Sequence, residues 1–145
     1  MNHSCAEIVA RWMVAETLGT DPEADPIGNW PVYDTAMPDT PDNAICTYGT
    51  AGVKDGRSMR DGQTFEHPGL QVKVRGTTEP VAFAKMQAIV EAIDAAIAES
   101  ITIEGTGYKI QNISRRSNAV PIRADRDTER RAYTLNCLVS ISQVS

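Results

Sequence analysis

The segment HPGLQVKVRG, residues 67–76, carries the most regular alternation of apolar and polar side chains in the chain. Three apolar side chains fall on one side of an extended backbone: Leu70, Val72 and Val74. The polar side chains between them fall on the other side: Gln71, Lys73 and Arg75. This period of two predicts a half-buried strand, with one face in a core and one face free for contact. His67-Pro68-Gly69 predicts a turn just before the strand.

A first helix is predicted over residues 5–18, where apolar residues recur at helical spacing. Ser4 is placed to cap its N-terminus, and Gly19 is placed to end it. The apolar positions are Ile8, Val9, Trp12, Met13 and Leu18. The pattern is typical of a helix that lays one face on a sheet.

A second helix is predicted after Thr77 or Thr78, which can act as its N-cap, and it extends to about Glu99. Pro80 falls in its first turn, where the missing backbone N–H costs no hydrogen bond. The apolar stripe comprises Ala82, Phe83, Met86, Ile89, Val90, Ile93 and Ile97. This is the longest helical pattern in the chain.

The remaining regular segments are short and extended, and their alternation or β-branched content predicts strands. They are residues 31–34, 44–48, 108–113, 119–123 and 133–141. Residues 49–67 hold four glycines and mixed charges without periodicity, which predicts a long flexible loop. A fold class follows from the element order: α+β, a mainly antiparallel β-sheet with two α-helices packed on it, in a single domain over 1–145.

Charge is distributed unevenly in this chain of 145 residues and net charge −5. Residues 16–42 contain seven acids and no Lys or Arg, whereas residues 109–131 contain seven Lys or Arg. The acidic balance argues against a general nucleic-acid binder. The two charged segments fit a protein whose opposite ends meet different partners, a protein whose neighbouring copies meet head to side, or simply two solvated surfaces.

The three cysteines are widely spaced and form no CxxC pair, so neither a disulfide framework nor a zinc ribbon is indicated. A reducing cytoplasm is expected. The N-terminal segment carries Glu7 and Arg11 within its apolar pattern, which does not fit a signal peptide. Charged residues also interrupt the apolar stretch at 81–97, so no membrane span is expected.

Catalytic, cofactor and metal sites are not indicated by any motif. The chain has two histidines, His3 and His67, and neither has a partner at ligand spacing. A cluster of His67 with Cys46 or Cys137 would be needed for nucleophilic or metal chemistry, and an ordinary loop histidine with two core cysteines explains the same residues better. Asp21-Pro-Glu23-Ala-Asp25 begins like a calcium loop but has Pro26 where the glycine is required.

Several motifs together resemble the minor capsid or tail-terminator family of long-tailed bacteriophages and prophages. These are MPDTPDNAICTYGTAG (37–52), HPGLQVKVRG (67–76) and IRADRDTERRAYTLNCLVSI (122–141). Members show a Pro-Asp-Asn strand, then a Pro-Gly-x-Gln-Val-x-Val-Arg-Gly strand, then a helix. The last strand carries an aromatic-x-Leu-Asn element, here Tyr133-Thr-Leu135-Asn136.

The resemblance implies a non-enzymatic virion protein that forms a six-fold ring on the last ring of the tail tube. It implies three partners: further copies of the chain, the tail tube protein and the head connector or neck protein. The expected location is the neck of the virion, after assembly in the host bacterial cytoplasm, with no cofactor, no membrane and no sequence-specific nucleic acid. A head-completion or tail-to-head joining protein is the alternative, and a small cytoplasmic enzyme is a third reading.

Polar and cationic residues of the predicted strand, the 49–67 loop and the basic segment are the expected contacts with another subunit or the tube. They are Arg57, Arg60, Gln71, Lys73, Arg75, Arg115, Arg116, Arg123, Arg126 and Arg130.

Overall fold

The computed structural model describes residues 3–57, 64–122 and 130–144. Two helices and seven strands are present in these ranges. In chain order they are α1 (Cys5–Ala15), β1 (Val32–Asp34), β2 (Ala44–Arg57), β3 (Thr64–Gly76), α2 (Glu79–Ala95), β4 (Ile97–Ile103), β5 (Thr106–Arg115), β6 (Val120–Ile122) and β7 (Arg131–Val144).

The seven strands form one curled sheet in the order β1-β2-β3-β7-β5-β4, with β6 paired to β7. Every pairing is antiparallel except that of β1 with β2, which is parallel. The predicted α+β fold with a mainly antiparallel sheet and two helices is therefore confirmed.

Both helices contribute to one apolar core on one face of the sheet. From α1 this core takes Ile8, Val9 and Met13, and from α2 it takes Met86, Ile89 and Ile93, all completely buried. The sheet side of the core includes Leu70, Val72, Val74, Leu135 and Val139, also completely buried. The face of β3 predicted from alternation is therefore the face that the helices cover, and the same holds for the predicted apolar face of β7.

The end of α1 differs from the prediction. The helix ends at Ala15 rather than near residue 18, because Thr17 adopts a left-handed backbone with φ of 60°. Leu18 N donates to Met13 O at 3.0 Å, which closes the last turn. Gly19 does not end the helix. It lies where no side chain fits, since a Cβ there would be 2.4 Å from Trp30 O.

The end of α2 also differs from the prediction, and β4 was not predicted at all. The helix ends at Ala95, and Ala96 is already extended with ψ of 108°. Ile97 is therefore a strand residue with 73% of its surface exposed, rather than part of the helical stripe. The i, i+4 spacing of Ile93 and Ile97 extended the helical pattern beyond the true helix.

The predicted loop at 49–67 is wrong for its described residues. β2 continues to Arg57 and β3 begins at Thr64, so most of the segment forms two antiparallel strands. His67-Pro68-Gly69 likewise lies within β3 and not in a turn. The sequence pattern fails here because backbone hydrogen bonds between paired strands form with almost any side chains, so pairing needs no alternation. The rest of the segment, 58–63, lies outside the described residues.

Candidate interaction surface

The face of the sheet opposite the helices, here called the outer face, carries mainly polar side chains. Cross-strand pairing places Tyr48, Gln71 and Asn136 in one row across β2, β3 and β7. The next row contains Cys46, Lys73 and Thr134. Towards β5 the same face continues with Lys109, Asn112, Ser114, Ser140 and Ser142. Gln71 and Lys73 therefore lie on the side where alternation placed them, and both are partly exposed.

The chemistry of the outer face differs from that of the chain as a whole. The rows named above contain Lys73 and Lys109 together with amides and hydroxyls, and these rows contain no carboxylate. Each of these groups can donate or accept hydrogen bonds, and the lysines attract carboxylates. In a chain of net charge −5 this face is therefore suited to a polar or acidic partner surface.

Arg75, at the end of β3, holds the loop before β2 through backbone carbonyls. Its Nη2 lies 2.8 Å from Pro38 O and 2.5 Å from Pro41 O, and its Nε donates to Asp42 O at 3.1 Å. Nη2 also lies 3.2 Å from Asp39 O. The guanidinium fork suits this arrangement because its donors are rigid and diverge. We call this arrangement the Arg75 clamp; its contacts lie within one chain.

Arg130 also binds the loop that Arg75 holds. Its Nη1 donates to Asp39 O at 2.7 Å, its Nη2 lies 3.1 Å from Asp39 Oδ1, and Nη1 lies 3.6 Å from Asp42 Oδ1. One residue of the basic segment thus pairs with two acids of the 16–42 segment in the same chain. Part of the charge asymmetry seen in the sequence is therefore neutralised internally.

The two family-like motifs contact each other directly. Besides the Arg75 clamp, Asn43 Oδ1 accepts hydrogen bonds from Thr77 N at 2.9 Å and Thr77 Oγ1 at 2.8 Å. Asn43 ends the Pro-Asp-Asn motif, and Thr77 follows the Val-Arg-Gly motif. These motifs therefore fix the start of β2 against the segment that leads into α2.

The glycines of the second motif mark places where no side chain fits. A Cβ at Gly69 would lie 2.4 Å from Ala51 O, and one at Gly76 would lie 2.7 Å from Ala82 N. In both cases the obstacle is backbone, which cannot move aside as a flexible side chain can. The motif therefore specifies close packing of β3 against β2 and α2.

The other predicted interface arginines are dispersed. Arg115 makes a bidentate pair with Asp94 at the end of α2, at 2.7 and 2.9 Å. Arg116 is exposed, and its backbone N donates to Asn136 O. Arg57 is the last residue of β2. The predictions for Arg60, Arg123 and Arg126 lie outside the described residues.

Sequence reasoning missed most of the outer face. Thr134 and Asn136 alternate with the buried residues of β7, so the pattern that revealed Gln71 and Lys73 could also have found them. Asn43 and the Arg75 clamp had no comparable signal, because their contacts join segments more than 30 residues apart.

The cysteine and histidine cluster required by the enzyme reading does not form, because Cys137 lies in the core whereas His67 contacts Ser140 on the outer face. Cys46 pairs with Lys73 across the sheet and His67 lies six residues away along β3, which corresponds to about 20 Å of strand. Instead, His67 Nδ1 lies 2.9 Å from Ser140 Oγ. Burial raises the pKa of the Cys46 thiol, which favours the unreactive protonated form.

Alkaline pH is expected to destabilise the fold through Cys5 and Cys137. Burial raises the pKa of Cys5 from 9.0 to about 12, with a contribution from nearby Cys137, and burial raises the pKa of Cys137 to about 11. Between the pKa of each thiol in the unfolded chain and its pKa in the folded protein, only the unfolded chain releases the proton. The contribution of these thiols to stability is therefore complete below pH 9 and falls as pH rises. By pH 10 the two thiols together would lower the free energy of unfolding by about 3 kcal/mol.

Urea unfolding at pH 8 and pH 10 measures this loss. A Cys5→Ala, Cys137→Ala variant should lose about 3 kcal/mol less than wild type over the same interval, because other titrating groups are shared. Equal losses in the two proteins would contradict the assignment to these thiols.

One concave site on the described surface lies beside the acidic segment. A pocket of about 270 Å³ between α1 and β1 is lined by Glu7, Asp21, Glu23 and Asp34, among others. Arg11 pairs with Asp21 there, and Glu23 N donates to Asp21 Oδ1 at 3.0 Å. Among the described residues no group of His, Cys, Asp or Glu could hold a metal ion. Within the same ranges, neither helix has the length and apolar character required to cross a membrane.

The family model for bacteriophage tail terminator protein matches residues 16–139, from the end of α1 into β7. The chain belongs to the bacteriophage tail terminator family. This agrees with the resemblance seen in the motifs, and it makes the chain a structural component of a phage virion. The family is one of structural proteins, which suggests a role other than catalysis.

Other comparisons are more distant. No curated protein sequence matches the chain. One similar solved structure is the virion of a native gene transfer agent particle, with TM-score 0.45, 14% identity and coverage of 78% of each chain. Another solved chain aligns with TM-score 0.47 and 12% identity, covering 96% of this chain and 91% of the other.

Proposed function

We propose that this tail terminator forms a six-fold ring on the end of the phage tail tube, stops tube polymerisation and provides the surface to which the head joins. The family match over residues 16–139 carries this proposal. The partners are further copies of the chain, the tail tube protein and the connector or neck protein. The location is the neck of the virion, reached after assembly in the host cytoplasm.

Charge and surface chemistry support a ring with heterologous contacts, in which one surface meets a different surface of the next copy. Glu23, Asp25 and Asp34 are exposed near β1, whereas Lys73 and Lys109 lie on the outer face. Surfaces of opposite character on one chain favour head-to-side association over a symmetric dimer.

The proposed contact residues are divided by their intramolecular contacts. Gln71, Lys73 and Arg116 are accessible and are proposed to contact the next copy or the tube directly. The proposed roles of Arg75, Arg115 and Arg130 in the interface are indirect, because their described bonds hold the loops and helix that shape it. Arg57, Arg60, Arg123 and Arg126 remain proposed contacts on sequence grounds.

Polymerisation of the purified tail tube protein of the same phage, with and without this chain, tests the proposal. We expect shorter tubes in the presence of the chain, with six-fold density at tube ends in class averages of electron micrographs. Unchanged tube lengths together with bare ends would refute capping.

A further inference from the structure

Both ends of the sheet present strand edges without a neighbour in the described part of the chain. β1 pairs with Ile45, Cys46 and Thr47, and from Tyr48 onwards no strand among the described residues lies on that side of β2. At the other end, β4 pairs with β5, and no strand of residues 3–57, 64–122 or 130–144 lies beyond it. Free strand edges expose unpaired N–H and C=O groups that can bind another strand.

These two edges contain few of the charges and prolines that usually prevent pairing, and each has one irregularity: the register shift of β2 after Thr50 and the left-handed backbone of Ala98 in β4, with φ of 53°. The stretch Tyr48–Val53 contains no proline and no charge, and β4 contains no proline and a single charge, Glu99. β4 is also rich in β-branched residues, which favour strand pairing. Its first residue, Ile97, is 73% exposed. Proteins that remain monomeric normally block such edges with charges, prolines or bulges.

We propose that β4 of one copy pairs with the free edge of β2 in the next copy, along the part of β2 that follows its pairing with β1. This pairing would join neighbouring sheets around the ring. The inference rests on the proposed ring and names the strands that build it. Pairing of two different edges is heterologous, as a ring requires, whereas pairing of β4 with itself would give a closed dimer.

Strand directions determine the sense of this pairing. Four successive antiparallel pairings separate β2 from β4, so the two strands run in the same sense through the sheet. A rotation about the ring axis preserves that sense, and the neighbour's β4 would therefore run parallel to β2, as β1 does.

The irregular register of β2 limits how far such pairing extends. Pairing of β2 with β3 is regular from Ala44 to Thr50 and then shifts between Thr50 and Val53. Bulges interrupt a strand edge and end its pairing. The contact is therefore confined to a short segment, which suits a defined interface better than open-ended association.

The matched variants Ile97→Lys and Ile27→Lys test the proposal. Ile27 is 94% exposed in the segment between α1 and β1, so both changes place a lysine at an exposed isoleucine, but only one lies on the β4 edge. Both monomers should fold with melting temperatures within roughly 2 °C of wild type. We expect Ile27→Lys to cap tail tubes and Ile97→Lys to fail.

Hydrogen exchange of the wild-type chain, free and bound to tail tubes, gives an independent readout. Backbone amides on the free edges within residues 48–50 and 97–103 should exchange at least about tenfold more slowly in the ring. Normal capping by Ile97→Lys without added protection would overturn the edge pairing and leave the capping function intact. A β4-to-β4 dimer would also overturn it. Failure of the wild-type chain to cap would instead refute the proposed function.

Discussion

Replacing Gly76 by alanine is expected to destabilise the fold by about 3 kcal/mol, a fall in melting temperature of roughly 10 °C. The new Cβ would lie 2.7 Å from Ala82 N and 2.9 Å from Ala82 Cα. Only Thr77 and Thr78 connect β3 to α2, so the first turn of the helix passes directly over the strand end. To accept the methyl group, α2 must move away from the core that it covers.

The matched control is Gly49→Ala, which introduces the same methyl group in the neighbouring strand. No atom lies within 4 Å of a Cβ at Gly49, so the change should alter the free energy of unfolding by about 0.5 kcal/mol or less. Chemical denaturation of both variants measures the difference. Equal stability of the two would show that α2 does not depend on the missing side chain at residue 76.

Among the single substitutions, loss of the Arg75 clamp is expected to have the second largest effect on stability. Arg75→Met removes the donors that hold Pro38, Pro41 and Asp42 and leaves their carbonyls to water, at a cost of about 2 kcal/mol. The loss of stability is no larger because Arg75 is partly exposed, so water can replace some of its hydrogen bonds. Hydrogen exchange should increase in residues 38–43 before it increases in the core.

Arg116→Met serves as the comparison, because Arg116 is an exposed arginine on the connection after β5. It should leave the free energy of unfolding within about 0.5 kcal/mol of wild type. If Arg75→Met were equally harmless to stability yet prevented assembly, Arg75 would act at an interface directly and not through the loop it holds.

The sequence predicted those elements whose side chains alternate between core and solvent. One face is buried in β3 over residues 70–74 and in β7 over residues 133–141, and burial imposes the period of two that reveals a strand. The covering helices were predicted for the same reason, since each buries one stripe. The order of these elements was sufficient to predict the fold class.

Predictions failed where backbone contacts determined the structure. β4 was missed because Ile97 continued the spacing of α2, although the helix had already ended at Ala95. The β2–β3 hairpin beyond Thr50 was missed because pairing there needs no alternation. Contacts of Arg75 with a loop more than 30 residues away could not be read from local pattern, although the motif that contains Arg75 was recognised.

Measured tail length tests the central claim most directly. Electron micrographs of lysates from a phage strain that lacks this gene would give the length distribution of its tail tubes. Termination by this chain predicts tubes of excessive and variable length beside heads without tails, with normal length restored by the wild-type gene. Tails of normal length that fail to join heads would contradict termination and assign the chain to head–tail joining, and normal virions would contradict both roles.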